Sequence, residues 1–143
     1  MKELIVEANI ENIYEVMDFI RKGVARHHCP PEWLDNINLA VEEILTNIAN
    51  YAYQPASGNV VVSMEIGQEM MIRFEDTGSP YNPLEHPDPD LEKPLMEHEI
   101  GGLGVFLVKK IMDEIEYTRI DGKNVLVVTK RLAEPPTQNC EDV

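Results

Sequence analysis

The run P-E-W-L-D-N-I-N-L-A-V-E-E-I-L-T-N-I-A-N-Y-A-Y, residues 31 to 53, is the feature that most constrains the fold. Ile37, Val41, Ile44, Leu45, Ile48 and Ala52 recur at steps of three and four and draw one apolar stripe along a helix. Pro31 suits the first turn, where a missing N–H costs little. Such a stripe must be buried against a second layer, and the chain supplies candidates for one. K-E-L-I-V-E-A reads as a short strand; N-V-V-V-S-M-E-I and E-M-M-I-R-F-E-D, joined at Gly67-Gln68, read as a hairpin ending on Asp76; E-I-E-Y-T-R-I and K-N-V-L-V-V-T-K-R-L read as a second hairpin turning on Asp121-Gly122.

Two further helices are predicted. Ile10, Ile13, Val16, Met17, Ile20 and Val24 set an amphipathic period from Ile10 to about Ala25, which H-H-C-P-P breaks. G-G-L-G-V-F-L-V-K-K-I-M-D-E starts another directly after its glycines. Hairpins segregated from helices argue an α+β two-layer sandwich, a mainly antiparallel (mixed) sheet covered on one face by helices. The 143 residues suit one domain, taken here as 1–132, with a polar, proline-bearing tail at 133–143 expected to be mobile. Between about residues 77 and 100 the sequence loses periodicity and gains five prolines, which predicts a lid.

Acids outnumber bases 26 to 12, giving a formal net charge of -14 and a pI near 4.5. That balance opposes contact with nucleic acid or anionic lipid. No stretch approaches the roughly 18 uninterrupted apolar residues of a membrane span. The N-terminus lacks the blocks of a signal peptide, so a cytoplasmic location is expected. Cys29 and Cys140 are read as free thiols.

Three stretches carry chemistry. Glu43 and Asn47, one turn apart, point into the same space beside the apolar stripe, whereas Glu42 lies round the helix toward solvent. An amide oxygen is a hard ligand suited to Mg²⁺, and a carboxylate one turn away can orient or deprotonate an attacking hydroxyl. In F-E-D-T-G-S-P-Y-N-P, Asp76 ends a strand, with Gly78 at the turn beside it; that carboxylate can accept from an exocyclic amine. In I-G-G-L-G-V, Gly101, Gly102 and Gly104 precede or open a helix, where free N–H groups and the dipole bind phosphate.

In that order, over about 60 residues, these stretches resemble the GHKL ATP-binding superfamily of gyrase, Hsp90 and histidine kinases, from about residue 10 to residue 131. E-E-I-L-T-N-I-A-N-Y-A-Y, D-T-G-S-P-Y-N-P and G-G-L-G-V-F-L-V-K-K look most like the anti-sigma factor serine/threonine kinases of bacterial partner-switching systems, in which the second glycine of D-x-G-x-G is replaced, here by Pro80. The resemblance implies a Bergerat-type fold, ATP and Mg²⁺ as cofactors, Asn47 on the metal, Glu43 as the base, Asp76 on the adenine amine and Gly78 shaping that pocket. It places Gly101, Gly102, Leu103 and Gly104 at the phosphates and Thr129 on a strand beside adenine. It implies phosphorylation of a small anti-anti-sigma (STAS-type) partner, with sequestration of a sigma factor as a further expectation and a homodimer as the assembly, for which the first strand and following helix are the expected surface. The alternatives are a nucleotide-dependent partner-binding module and a bare ATPase.

The chain departs from the pattern twice. Some members carry a basic residue just before the glycines, where this chain reads E-H-E-I, with His98 nearest and Lys93 further off; Asn124 stands where many members have a glycine-threonine pair. His27, His28 and Cys29 are read as structural or surface residues, Lys109 and Lys110 as a solvated helix face, Trp33 as packing at its helix start, and at least one of Met70 and Met71 as core.

Overall fold

The computed structural model describes residues 2–25, 31–53, 58–85 and 100–131, with side chains undescribed at 10, 25, 31–33 and 100–103. His27, His28, Cys29, the Trp33 side chain, most of the expected lid with Lys93 and His98, and the expected tail with Cys140 therefore lie outside the described residues. Within them the order is β1 (Lys2–Glu7), α1 (Ile13–Ala25), α2 (Pro31–Asn47), β2 (Asn59–Ile66), β3 (Glu69–Asp76), α3 (Ile100–Ile111), β4 (Glu114–Ile120) and β5 (Lys123–Arg131).

The strands form one sheet in the order β1-β2-β3-β5-β4, and every pairing is antiparallel. The sheet is thus not mixed. Its register follows from the period-2 pattern. Val6, Val60, Val62, Met64, Met70, Ile72, Phe74, Leu126 and Val128 share the face that α1 and α2 cover, and all are buried. Val16, Ile20 and Val24 of α1 and Ile37, Val41, Ile44 and Leu45 of α2 complete this core. Met70 belongs to it; Met71 points to the other face, being the neighbouring residue on the strand.

Local chemistry sets the element ends. Asn9 Oδ1 accepts from the Asn12 backbone N–H at 3.0 Å, which satisfies one orphan donor ahead of α1. At the β4–β5 turn, Asp121 (φ 51°) and Gly122 (φ 76°) take the left-handed conformations that a two-residue hairpin requires. The second helix differs from the expected single run to Tyr53. After Asn47 it widens into a π turn, Ile48–Ala52, closed by Tyr53 N–H donating to the Ile48 carbonyl at 3.3 Å.

Candidate functional site

Five elements converge at one end of the sheet. The end of α2 and the π turn after it bring Asn47 and Ile48, β3 ends on Asp76, α3 presents Val105 and Val108, and β4 and β5 supply Tyr117, Asn124 and Leu126. Between them, with Tyr81 and Pro83 from the segment after β3, is a pocket of about 480 Å³, part of it open to solvent. Its walls are apolar and its polar groups few and grouped, the usual make-up of a small-molecule site.

Asp76 is the buried acid of this pocket, 3% exposed. Its Oδ1 accepts from the Gly78 backbone N–H at 2.9 Å and from Asn124 Nδ2 at 2.9 Å. Burial pushes its carboxyl up from the ordinary value, and the Asn124 and Gly78 donors and the Arg119 charge pull it back in part. Asn124, paired directly opposite Asp76 across β3 and β5, also donates to the Ser79 carbonyl at 2.8 Å and accepts from the Tyr117 hydroxyl and the Tyr81 N–H.

The T-G-S turn after Asp76 is held from three sides. The Tyr53 hydroxyl accepts from Thr77 N–H at 2.8 Å and donates to the Asn59 carbonyl at 2.7 Å; Ser79 N–H donates to the Ala52 carbonyl at 2.8 Å; Arg119 Nη1 donates to the Gly78 carbonyl at 2.8 Å. Gly78 runs so close to the π turn that a Cβ on it would lie 2.5 Å from the Ala52 carbonyl oxygen. The turn can sit there only with glycine at this position. Tyr51, on the same π turn, stacks on Tyr81 with ring centroids 5.0 Å apart. Burial and the neighbouring Tyr51 push the Tyr81 phenol up to about 12.

Glu43 and Asn47 lie on the α2 face toward α3. Asn47 is 7% exposed and lines the pocket, while Glu43 is half-buried and Glu42 exposed. The Glu43 carboxylate lies against Gly104 in the first turns of α3, where a Cβ would meet its Oε2 at 2.3 Å. Burial, then the charge of Glu42, raises the Glu43 carboxyl above its ordinary value. Gly101, Gly102 and Leu103 belong to the first turn of α3.

Of the expected site residues, the structure therefore brings Asn47 and Asp76 into one pocket, with Gly78 in its bounding turn and Glu43 against Gly104. Thr129 is not brought there. It pairs with Met71 and Glu114, five residues along β5 from Asn124. Five residues span about 16 Å of strand, and an odd step turns the side chain to the opposite face. The residue facing Asp76 is Asn124. Sequence reasoning had marked Asn124 only as a departure and had missed Tyr53, Tyr81, Tyr117 and Arg119; the sole available signal was the clustering of aromatic and amide residues in N-Y-A-Y and P-Y-N-P.

A helix-covered antiparallel sheet with an acid at the end of a central strand, an amide on the facing helix and a glycine-opened helix across the pocket defines a nucleotide-binding ATPase class. The model of the histidine kinase-like ATPase domain matches residues 6–130. The chain is 32% identical over 114 residues to the serine-protein kinase RsbW of Halalkalibacterium halodurans, covering 76% of this chain and 69% of that protein. It is 28% identical over 99 residues to the serine/threonine-protein kinase BtrW of Bordetella bronchiseptica, covering 68% and 70%. Its fold is similar to a solved structure of the RsbU and RsbW domains of a Mycobacterium tuberculosis protein, with a TM-score of 0.62 at 17% identity, over 94% of this chain and 34% of that one. The chain belongs to the histidine kinase-like ATPase domain family, on the branch of the serine-protein kinases. It is accordingly an ATP-using kinase.

Proposed function

We propose that the chain transfers the γ-phosphoryl group of Mg-ATP to a serine or threonine of a small STAS-type anti-anti-sigma protein, and that it sequesters a sigma factor when that partner is phosphorylated. The observation that carries the reading is Asp76: a buried carboxylate with one oxygen engaged by two donors, lining an apolar pocket, matched to accept from an adenine amine. Asn47 presents a hard, neutral oxygen in the same pocket, which suits Mg²⁺. Among the described residues no group of three or more His, Cys, Asp and Glu forms a metal cluster, and a metal that keeps waters and takes its other ligands from phosphates needs none. When bound, that metal would offset charge on the transferring phosphoryl group.

The residues have distinct roles. Asp76 and Gly78 hold the base; Gly101, Gly102, Leu103 and Gly104 at the start of α3 offer backbone N–H groups to the phosphates. Glu43 takes the proton of the partner's hydroxyl, and its upward shift toward neutral pH makes it a better base than an ordinary carboxylate. Thr129, far from Asp76, has no part. A cytoplasmic, homodimeric protein fits this reading; among the described residues no helix is long and apolar enough to cross a membrane.

Calorimetric titration of ATP with and without Mg²⁺, on the wild type and Asn47→Ala, tests the site; metal-dependent binding weakened by the substitution is expected. Label transfer from [γ-³²P]ATP to the cognate partner tests the reaction, and Glu43→Gln should abolish transfer while leaving ATP binding. E-H-E-I lacks Lys and Arg, which favours as second reading a nucleotide-dependent binding module without efficient transfer. Rapid phosphorylation of the partner excludes it.

A further inference from the structure

Asn124 has four hydrogen-bonding positions and uses all of them. Its two N–H groups go to Asp76 Oδ1 and the Ser79 carbonyl, at 2.9 and 2.8 Å; its oxygen accepts from the Tyr117 hydroxyl and from the Tyr81 N–H at 3.2 Å. Turned over, the amide would set its oxygen against a carboxylate and a carbonyl and its N–H groups against two donors. One orientation is therefore imposed by the surroundings. The side chain is 4% exposed, so a lost partner here is not replaced by bulk water.

The consequence falls on Asp76. Its Oδ1 is taken twice, by Asn124 and by the Gly78 N–H, while its Oδ2 has no hydrogen-bond partner among the described residues. An ionised carboxylate with one oxygen spent offers a pure acceptor from the other.

We infer that Asn124 is a positioning residue for base recognition: its carboxamide fixes which oxygen of Asp76 faces the pocket and keeps that oxygen an acceptor, so that the site selects a purine carrying an amine (adenine) over one carrying a carbonyl (guanine). The inference rests on the nucleotide reading of this pocket. Among the described residues, the charged and titratable groups around the pair are Arg119 and Tyr117 from β4, Tyr81 from the segment after β3, and Tyr53 beyond α2; α3 presents Val105 and Val108. The charge of Arg119 favours the ionised Asp76.

Asn124→Asp keeps the volume and exchanges a donor for a second carboxyl. Two carboxyls in contact share one proton at lower pH, which restores a donor toward Asp76, and lose it at higher pH. ATP and GTP binding to wild type, Asn124→Asp, Asn124→Leu and Asp76→Asn are measured by calorimetry at pH 6 and pH 8. Circular dichroism at both pH values verifies the fold of Asn124→Asp. Wild type is expected to prefer ATP at both pH values. Asn124→Asp should bind ATP about tenfold to a hundredfold more weakly at pH 8 than at pH 6, the worth of one charge-assisted hydrogen bond. Asn124→Leu should be weak at both and lose the preference for ATP. Wild-type affinity in Asn124→Asp at both pH values, or an equal loss at both, overturns the inference. Should Asp76→Asn bind ATP as wild type does, the nucleotide reading itself fails; if only that variant is impaired, the role of Asn124 alone is refuted.

Discussion

Two glycines, Gly78 and Gly104, both face short approaches, and substituting alanine at each should give opposite results. At Gly78 the added Cβ lies 2.5 Å from the Ala52 carbonyl oxygen and 2.8 Å from its carbon, both backbone atoms of the π turn. To reach even 3.0 Å the T-G-S turn must move by about 0.5 Å from the end of α2, against the Ser79 N–H bond to the same carbonyl at 2.8 Å. Overpacking of this kind costs about 1–3 kcal/mol and the weakened hydrogen bond about 1 more. Gly78→Ala is therefore expected to lose about 2–4 kcal/mol, or about 8–16 °C in Tm at roughly 4 °C per kcal/mol. At Gly104 the Cβ meets Glu43 Oε2 at 2.3 Å, the far end of a half-buried, rotatable side chain that can swing aside. Alanine within a helix also gains about 1 kcal/mol over glycine. Gly104→Ala should melt no lower than wild type, yet bind ATP more weakly, since the new methyl stands where the phosphates are proposed to approach. Thermal melts followed by circular dichroism without nucleotide, then calorimetry with ATP, separate the two. A Gly104→Ala protein that melts as low as Gly78→Ala would refute the distinction between a fixed and a yielding obstacle.

Tyr53→Phe removes the hydroxyl that joins Thr77 N–H to the Asn59 carbonyl and should cost about 2 kcal/mol, read as a lower urea midpoint at unchanged m-value. Asp76 holds its proton to higher pH folded than unfolded, so its contribution to stability is greatest below about 3.8 and falls as pH rises through the folded value. Asp76→Asn should then be increasingly more stable than wild type between pH 3 and neutrality in urea titrations, while losing ATP binding; a gap that narrows with rising pH would contradict the sign. Lys130 Nζ donates to the Ile111 carbonyl at the end of α3 at 2.9 Å, and Lys130→Met should cost about 1 kcal/mol by chemical denaturation.

The helices and hairpins were legible because each rests on a local rule. Ile37, Val41, Ile44, Leu45, Ile48 and Ala52 announced their stripe by spacing, and all six are buried. The π turn left no trace in that stripe, since Ile44, Ile48 and Ala52 keep their steps of four whether or not the last turn widens. The error at Thr129 has a different origin. Asp121-Gly122 sets the β4–β5 register through a two-residue turn, but β3 and β5 are joined through the segment after Asp76 and α3, and nothing within either strand states which of their residues meet. Asp76 and Asn124 are 48 positions apart, so the contact that gives the acid its orientation is a product of sheet topology. Asp76, Gly78, Glu43 and Asn47 could be singled out early because each sits at the end or edge of one element; the network around Asp76 draws on four.

Among the described residues β4 is the last strand on its side of the sheet, with a neighbour in β5 and none beyond. Border strands of this kind open readily, and their amides exchange with solvent sooner than those of interior strands. Yet β4 carries Tyr117, which bonds Asn124, and Arg119, which bonds the Gly78 carbonyl. Each fraying event at this border thus withdraws two supports from the pocket. By the same thermodynamic cycle, a molecule seated in the pocket must slow hydrogen exchange along β4. The border strand becomes a gauge of occupancy, legible without any label on the ligand.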